Sequence, residues 1–487
     1  MVGILGILLS LGLLIYLAYR GISALIVAPL MAILAVLLSS DPPVLGSYTQ
    51  IFMPALGQFA ILYFPLFLLG AIFGKLMDDS GSAQVIAQSI VETLGKNRSI
   101  LAIVLACAIL TYGGVSLFVV AFAVYPIAAA MFKEAEIPKR LIPGTIALGA
   151  FTFTMTALPG TPAIQNAIPM PYFNTTPFAA PFLGIIGGAI MFVLGMLWLS
   201  HREKSAGQKG EGFGKDHDEA GRPEISKNIR EYAQCENFDV MEITQDPREV
   251  AQNTPKFFVA VLPVVLVIII NYLFTRFIIP ALDTAYLLLP KYGSTDINAV
   301  RGVWSIISSL VISSIILILL NMNNFSSIRR TLDDGASASV LPLFNTASLV
   351  GFGAVIASLP SFELIRDMVL GIAPGNPLIS LSVAVNMLAG ITGSASGGMS
   401  IALQTLGDRY LELSQLAGIS PELMHRVTSI ATGGLDALPQ NGAVITLLTI
   451  CKLTHRQSYG DIFVVAAVVP VLALVAVIIL GTLFGSF

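Results

Sequence analysis

Ala157-Leu158-Pro159-Gly160-Thr161-Pro162-Ala163 lies inside a long apolar segment, and Ala437-Leu438-Pro439-Gln440-Asn441-Gly442-Ala443 lies inside another, 280 positions further on. Both read ALPxxxA. Proline and glycine interrupt a helix, and each broken end exposes about four backbone N–H or C=O groups that hydrocarbon cannot satisfy. Unwound backbone at membrane depth is tolerated where it lines a cavity, and paired interruptions at matching positions of two halves point to a carrier's binding site. The two stretches therefore predict a membrane carrier whose site lies where two unwound helices meet.

Composition agrees with that expectation. The 487 residues are 55% hydrophobic and 11% charged, with mean hydropathy +0.83, whereas soluble domains carry roughly 25% charged residues. An all-α polytopic membrane protein embedded in a lipid bilayer is the implied class. The net charge of -3 excludes a nucleic-acid partner on electrostatic grounds. Cys107, Cys235 and Cys451 are scattered without metal-ligand spacing, so neither a metal centre nor a cofactor is expected, and two of the three read as buried thiols. The chain contains no GxxxxGK[ST] phosphate loop and no HExxH. Residues 2–19 lack a basic lead-in and a small-residue cleavage site and read as a retained helix.

Apolar runs of spanning length occur at 2–19, 21–38, 59–76, 178–199, 257–279, 303–320, 338–358 and 461–484. Four further segments, 99–132, 140–176, 378–411 and 421–454, are too long or too often interrupted to be single rods. In each half the first of these has a small polar centre, Thr111-Tyr112-Gly113-Gly114-Val115-Ser116 or Thr392-Gly393-Ser394-Ala395-Ser396-Gly397-Gly398, and reads as a re-entrant hairpin. The second carries the ALPxxxA break and should cross. Thr111 precedes Pro159 by 48 positions and Thr392 precedes Pro439 by 47, so one module occurs twice. Each half then has about five crossings and one hairpin. An odd number of crossings inverts the second copy, giving an N-terminal repeat 1–199, a linker 200–256 and a C-terminal repeat 257–487. The stretches 82–94 and 361–373 are amphipathic and read as interfacial helices.

Basic residues test the map independently. Outside the long loop, eleven Lys and Arg fall on the face opposite the N-terminus and six on its own face. Both termini are expected outside and the charged, glycine-containing 200–256 loop on the cytoplasmic side, as a tether between the halves or as a regulatory segment.

A carboxylate entering the hydrocarbon region loses hydration worth on the order of 20 kcal/mol in the idealised limit. No lysine or arginine is apparent near either break, which leaves helix N-termini and neutral polar side chains to replace that water. The candidates are Tyr112, Gly113, Gly114 and Ser116 on the first tip, and Thr161, Gln165 and Asn166 on the first break. In the second half they are Ser394, Ser396 and Gly397 on the tip, and Gln440 and Asn441 on the break. Any of them could instead cap its own broken helix. Asp436 is the one carboxylate placed near the membrane centre, where ionisation costs about 2.5–3.5 kcal/mol. It could exchange a proton, help ligate sodium, or accept orphan amides. His425 and Arg426, like Arg301 and Arg409, read as a solvated helix end rather than an anion attractor. An anion channel, or an intramembrane hydrolase using Ser394 or Ser396 with His425, explains the duplicated breaks less well.

The chain resembles the gluconate permease (GntP) family of the larger superfamily of ion transporters. The likeness rests on Phe73-Gly74-Lys75-Leu76 with Asp79-Ser80-Gly81, on the first tip, on Thr161-Pro162-Ala163-Ile164 and on Ile419-Ser420-Pro421-Glu422-Leu423. Through Tyr112-Gly113-Gly114-Val115-Ser116 and Ala437-Leu438-Pro439-Gln440-Asn441-Gly442-Ala443 it is most similar to the hydroxybutyrate permease branch. The glutamate and histidine of the gluconate branch's first tip and break are missing, which favours a shorter acid. The resemblance implies proton symport, here of a small organic acid anion such as 3-hydroxybutyrate or a gluconate-like acid; a sodium-coupled di- or tricarboxylate carrier is the alternative. It also implies a bacterial inner-membrane homodimer.

Overall fold

Uninterrupted apolar sequence forms unbroken helices, and each expected interruption is a real one. The computed structural model describes residues 2–20, 22–39, 43–214, 254–439 and 441–487, and no strand occurs among them. The first half runs α1 (Val2–Tyr19), α2 (Ala24–Leu37), α3 (Val44–Asp79), α4 (Ser82–Leu94), a hairpin of α5 (Ser99–Tyr112) and α6 (Leu117–Glu134), and then a fragmented segment. Its pieces are α7 (Ile142–Ala150), α8 (Phe153–Thr156), α9 (Ile164–Ala167) and α10 (Pro169–Phe173), followed by α11 (Pro181–Gln208). The second half presents the same order. It comprises α12 (Phe257–Ala281), α13 (Ile297–Leu320), α14 (Ile328–Ser358), α15 (Phe362–Leu370), a hairpin of α16 (Pro377–Thr392) and α17 (Ala395–Leu416), the broken pair α18 (Pro421–Ala431) and α19 (Gly442–Ile450), and α20 (His455–Phe484). Among the described residues, seven helices are long and apolar enough to cross a membrane. The chain is an all-α polytopic membrane protein.

Several boundaries differ from the sequence expectation. The run at 59–76 is the inner part of α3, whose 36 residues rise about 54 Å at 1.5 Å each, beyond a hydrocarbon core of about 30 Å. Hydropathy marks only part of this one helix. Its partner α14 likewise extends N-terminally of 338, and the two cross where a Cβ on Gly335 would lie 2.9 Å from the Ile72 Cα. Helix α11 continues to Gln208, past the expected start of the linker at 200. Most of that linker, 215–253, lies outside the described residues.

The breaks place backbone carbonyls where no helix partner remains, and side chains from other elements supply the missing donors. In the first break, Ala157 O accepts from Arg426 Nη1 at 3.0 Å, Pro159 O from the Tyr112 hydroxyl at 2.7 Å and Gly160 O from Asn271 Nδ2 at 3.0 Å. In the second, the corresponding Ala437 O accepts from the Tyr459 hydroxyl at 3.1 Å and Pro439 O from His455 Nε2 at 2.9 Å. Ser429 Oγ donates to Thr156 O at 2.8 Å, which ties α18 directly to the first break.

Arg426 corrects the sequence reading twice. It is fully buried rather than solvated, and it is a basic side chain at a break where none was apparent. Helix α18 is enclosed by α8, α10, α16 and α20, so its polar face meets the first break and not water. The guanidinium makes five hydrogen bonds, to Ala179 O twice, Ala157 O, Pro177 O and Asn166 Oδ1. Charge-assisted bonds of about 1.5–3 kcal/mol each offset a desolvation penalty of several kcal/mol. His425 is equally buried, between Thr175 Oγ1 at 2.6 Å and Asn166 Oδ1 at 3.2 Å. Of the two residues read in the same way, Arg409 is exposed and pairs with Glu412, whereas Arg301 is half-buried.

At the end of the fold that carries the start of the linker, Asp461 of α20 is 3% exposed and accepts from Arg140 Nη1 at 3.1 Å, Arg202 Nε at 2.7 Å and Trp198 Nε1 at 3.1 Å. These contacts join α20 to α11 and to the lead-in of α7. Glu211 folds back to take both remaining edges of Arg140, at 2.6 and 2.9 Å. The Arg140 guanidinium holds the Glu211 carboxyl below its ordinary range. A depressed carboxylate stabilises the fold above its unfolded value, so this tie is complete at neutral pH and is lost only as pH falls through the acid range.

Arg426→Met leaves Ala157 O and Ala179 O without their side-chain donor and should lower stability by about 2–6 kcal/mol, at about 1–3 kcal/mol per unsatisfied group. Arg426→Lys keeps the charge but loses the fork and should fall between Met and wild type. Thermal unfolding of detergent-purified protein checks the order, and a Met variant melting with wild type contradicts it.

Candidate functional site

The two hairpin tips and the two breaks border a pair of adjoining chambers. The larger, about 190 Å³, is lined by Thr111, Gly114 and Ser116 of the first tip, Pro162 and Gln165 of the first break, and Ser396 of the second tip. Leu66 and Phe67 of α3, Leu310 of α13 and Pro342 of α14 complete its apolar walls. The smaller, about 60 Å³, is lined by Thr156, Gln165, Ser394, Ser396, Asp436 and Asn441, with Phe151 and Met155. Gln165, Ser396, Phe118 and Met155 border both.

Local sequence explains the shape. Gly114 turns the first tip at φ 94°, a left-handed conformation open to glycine, and a Cβ there would lie 2.8 Å from the Pro162 ring. The tip can therefore approach the break closely. Ser394 turns the second tip into α17 by accepting from Gly397 N at 3.2 Å, and Asn441 starts α19 by accepting from Val444 N at 2.9 Å. Leu117 and Phe118 open α6, Ala395 and Ser396 open α17, and Ala443 is near the start of α19. Three helix N-termini thus border the chambers, each carrying a partial positive charge of up to about 0.5.

Not every candidate residue reaches the chambers. Gly114, Ser116, Gln165, Ser394, Ser396, Asn441 and Asp436 line them. Tyr112 spends its hydroxyl on Pro159 O, and Gly113 packs against Val264. Thr161 accepts from Ala163 N, and Asn166 donates to Thr161 O and Pro177 O while accepting from Arg426 and His425. Gly397 is capped by Ser394. These five are used within the framework. Gln440 lies outside the described residues. Asn441 does both jobs, since its Nδ2 also donates to Gly393 O at 2.8 Å.

Thr111, Thr156, Phe118 and Met155 border the chambers without having been nominated from sequence. Thr111 carried a signal, as the first residue of the polar tip; the apolar pair carried none. Thr111 Oγ1 and Gln165 Oε1 are buried without a hydrogen-bond partner, a condition that costs about 1–3 kcal/mol per group and leaves acceptors for a ligand. Asp436 is half-buried. It is the one ionisable group among the described lining residues. His425 bonds to Thr175 and Asn166, not to Ser394 or Ser396, so no serine–histidine pair is formed.

Residues 1–176 match the family model described as GntP family permease. The protein named "Uncharacterized transporter YxjC" of Bacillus subtilis (strain 168) is 46% identical over 486 residues, covering 98% of each chain. The solved structure of Neisseria gonorrhoeae MtrF, described with a class of antimetabolite efflux pumps, aligns with 99% of this chain and 95% of its own at TM-score 0.52 and 12% identity, a likeness of fold. On the family match and the full-length relative together, the chain belongs to the GntP family of permeases and is a multi-pass membrane transporter, not an enzyme.

Proposed function

We propose that this transporter is a secondary carrier of the bacterial inner membrane that imports a small organic acid anion, a hydroxy-monocarboxylate such as 3-hydroxybutyrate, in symport with protons. The observation that carries the reading is the convergence of both tips and both breaks on two chambers bordered by three helix N-termini and one carboxylate. In this reading the larger chamber takes the substrate. Its volume of about 190 Å³ is below the roughly 300–1,000 Å³ of drug-sized sites, which suits an acid of few heavy atoms. Ser116, Gln165 and Ser396 then stand in for its hydration shell beside the helix N-termini, with Gly114 giving room for the backbone.

The smaller chamber takes the coupling ion at Asp436, with Ser394 and Asn441 beside it. A proton is the assigned ion, because Asp436 is the one ionisable group among the described lining residues and no cluster of three His, Cys, Asp or Glu accompanies it among the described residues. Sodium held by Asp436 and unwound carbonyls is the variant. The proposal further comprises inverted repeats 1–199 and 257–487 joined by a cytoplasmic 200–256 tether, both termini outside, and a homodimer. The matching order of elements in the two halves supports the repeat reading.

Proteoliposomes with an imposed pH gradient should accumulate the acid above equilibrium, and a protonophore should collapse the accumulation; mere equilibration would indicate a channel. Asp436→Asn should abolish accumulation while counterflow exchange partly survives. Persistent accumulation in that variant removes Asp436 from coupling. Gln165→Ala should raise KM about tenfold, the loss of roughly one ligand hydrogen bond, with uptake kinetics as the measurement. In a thermal-shift screen short hydroxy acids should stabilise the protein; stabilisation by citrate or gluconate alone would overturn the substrate assignment.

A further inference from the structure

We propose that His455 and Tyr459 are positioning residues that hold the second break closed and set the access of Asp436 to the face bearing the start of the linker. The inference rests on the reading of Asp436 as the coupling group. Its ground is a difference between two otherwise matching breaks. The same two carbonyls of the ALPxxxA motif are capped in each. In the first break the donors are the fully buried Arg426 and the half-buried Tyr112. In the second they are the half-buried Tyr459 and the exposed His455.

The chemistry of these caps differs. Arg426 is a permanent cation whose five bonds leave it nothing to exchange with. The second pair makes two single bonds from neutral-capable groups, and water can replace a bond made by an exposed side chain. His455 and Tyr459 are four positions apart, on one face of α20, so both let go if the first turn of that helix shifts. The shift has a natural limit. Asp461, a further half turn along, is buried and fixed by Arg140, Arg202 and Trp198, and a π-helical turn, Val464–Val468, follows.

The second break also runs outward over a short distance. Asp436 lines the smaller chamber, whereas Pro439, three residues later, is exposed beside His455. Unwound backbone of four residues separates the carboxylate from the surface, and the two caps hold that backbone in place. Releasing them opens the chamber at Asp436 toward the face where Arg140, Arg202 and Glu211 gather, while the first break stays locked.

The test reads water access at Asp436 in the purified full chain, without requiring transport. A water-soluble carbodiimide with an amine nucleophile is applied, and the modification rate of the Asp436 peptide is followed by mass spectrometry. Tyr459→Phe and His455→Ala should each raise the rate about 3- to 10-fold, the effect of one neutral hydrogen bond on a local opening equilibrium. His455→Gln retains a donor and should stay near wild type. Tyr459→Phe removes only a hydroxyl, so an unfolded sample is distinguished by its melting curve. Unchanged rates in both Tyr459→Phe and His455→Ala overturn the proposal, as does an Asp436 that reacts in no variant. If access changes as expected but wild-type vesicles show no proton-driven accumulation, the gate stands and the coupling reading falls.

Discussion

An unwound peptide group in a membrane has to find its hydrogen bonds within the protein, and this requirement organises the molecule. The two breaks carry carbonyls that helix geometry abandons and lipid cannot serve. Arg426, Tyr112 and Asn271 answer for the first break, Tyr459 and His455 for the second. Because the first break also draws donors from the second half, satisfying it ties the halves together: α18 of the second half is bound to the break of the first through Arg426 and Ser429.

The same arrangement sorts polar groups between framework and cavity. With carbonyls of the first break drawn toward Arg426, the N-terminal ends of α6 and α17 and the side chains of Ser116, Gln165 and Ser396 are left bordering the chambers. The buried basic charge of Arg426 is therefore spent on structure. An anion site so built relies on many weak dipoles, each tolerant of what lies beyond a carboxylate, and the apolar walls from α3, α13 and α14 limit size rather than dictate identity.

Much of this was legible in residue order. The hairpins at 99–132 and 378–411, the breaks at 157–163 and around 437–443, and the short helix after α3 all occur where glycine, proline and hydropathy put them. Seven of the nominated residues border the chambers, including Gln165, Ser396 and Asp436. The failures share a cause. Arg426 and His425 look like a helix end entering water because their neighbours Pro421 and Glu422 form a polar lead-in, yet the partners that bury them lie about 250 positions earlier. Tyr112 and Asn166 have the chemistry of ligand-binding residues but are consumed by Pro159 and Arg426.

The sequence by itself determined the helical class, the membrane setting and the places where helices must stop, because proline, glycine and hydropathy act over a few residues. Tertiary structure decided which polar groups face the chambers and which are spent on the breaks. A buried donor goes to whichever orphan carbonyl packing brings within about 3 Å, and that pairing is set by tertiary contacts between residues from 16 to 269 positions apart.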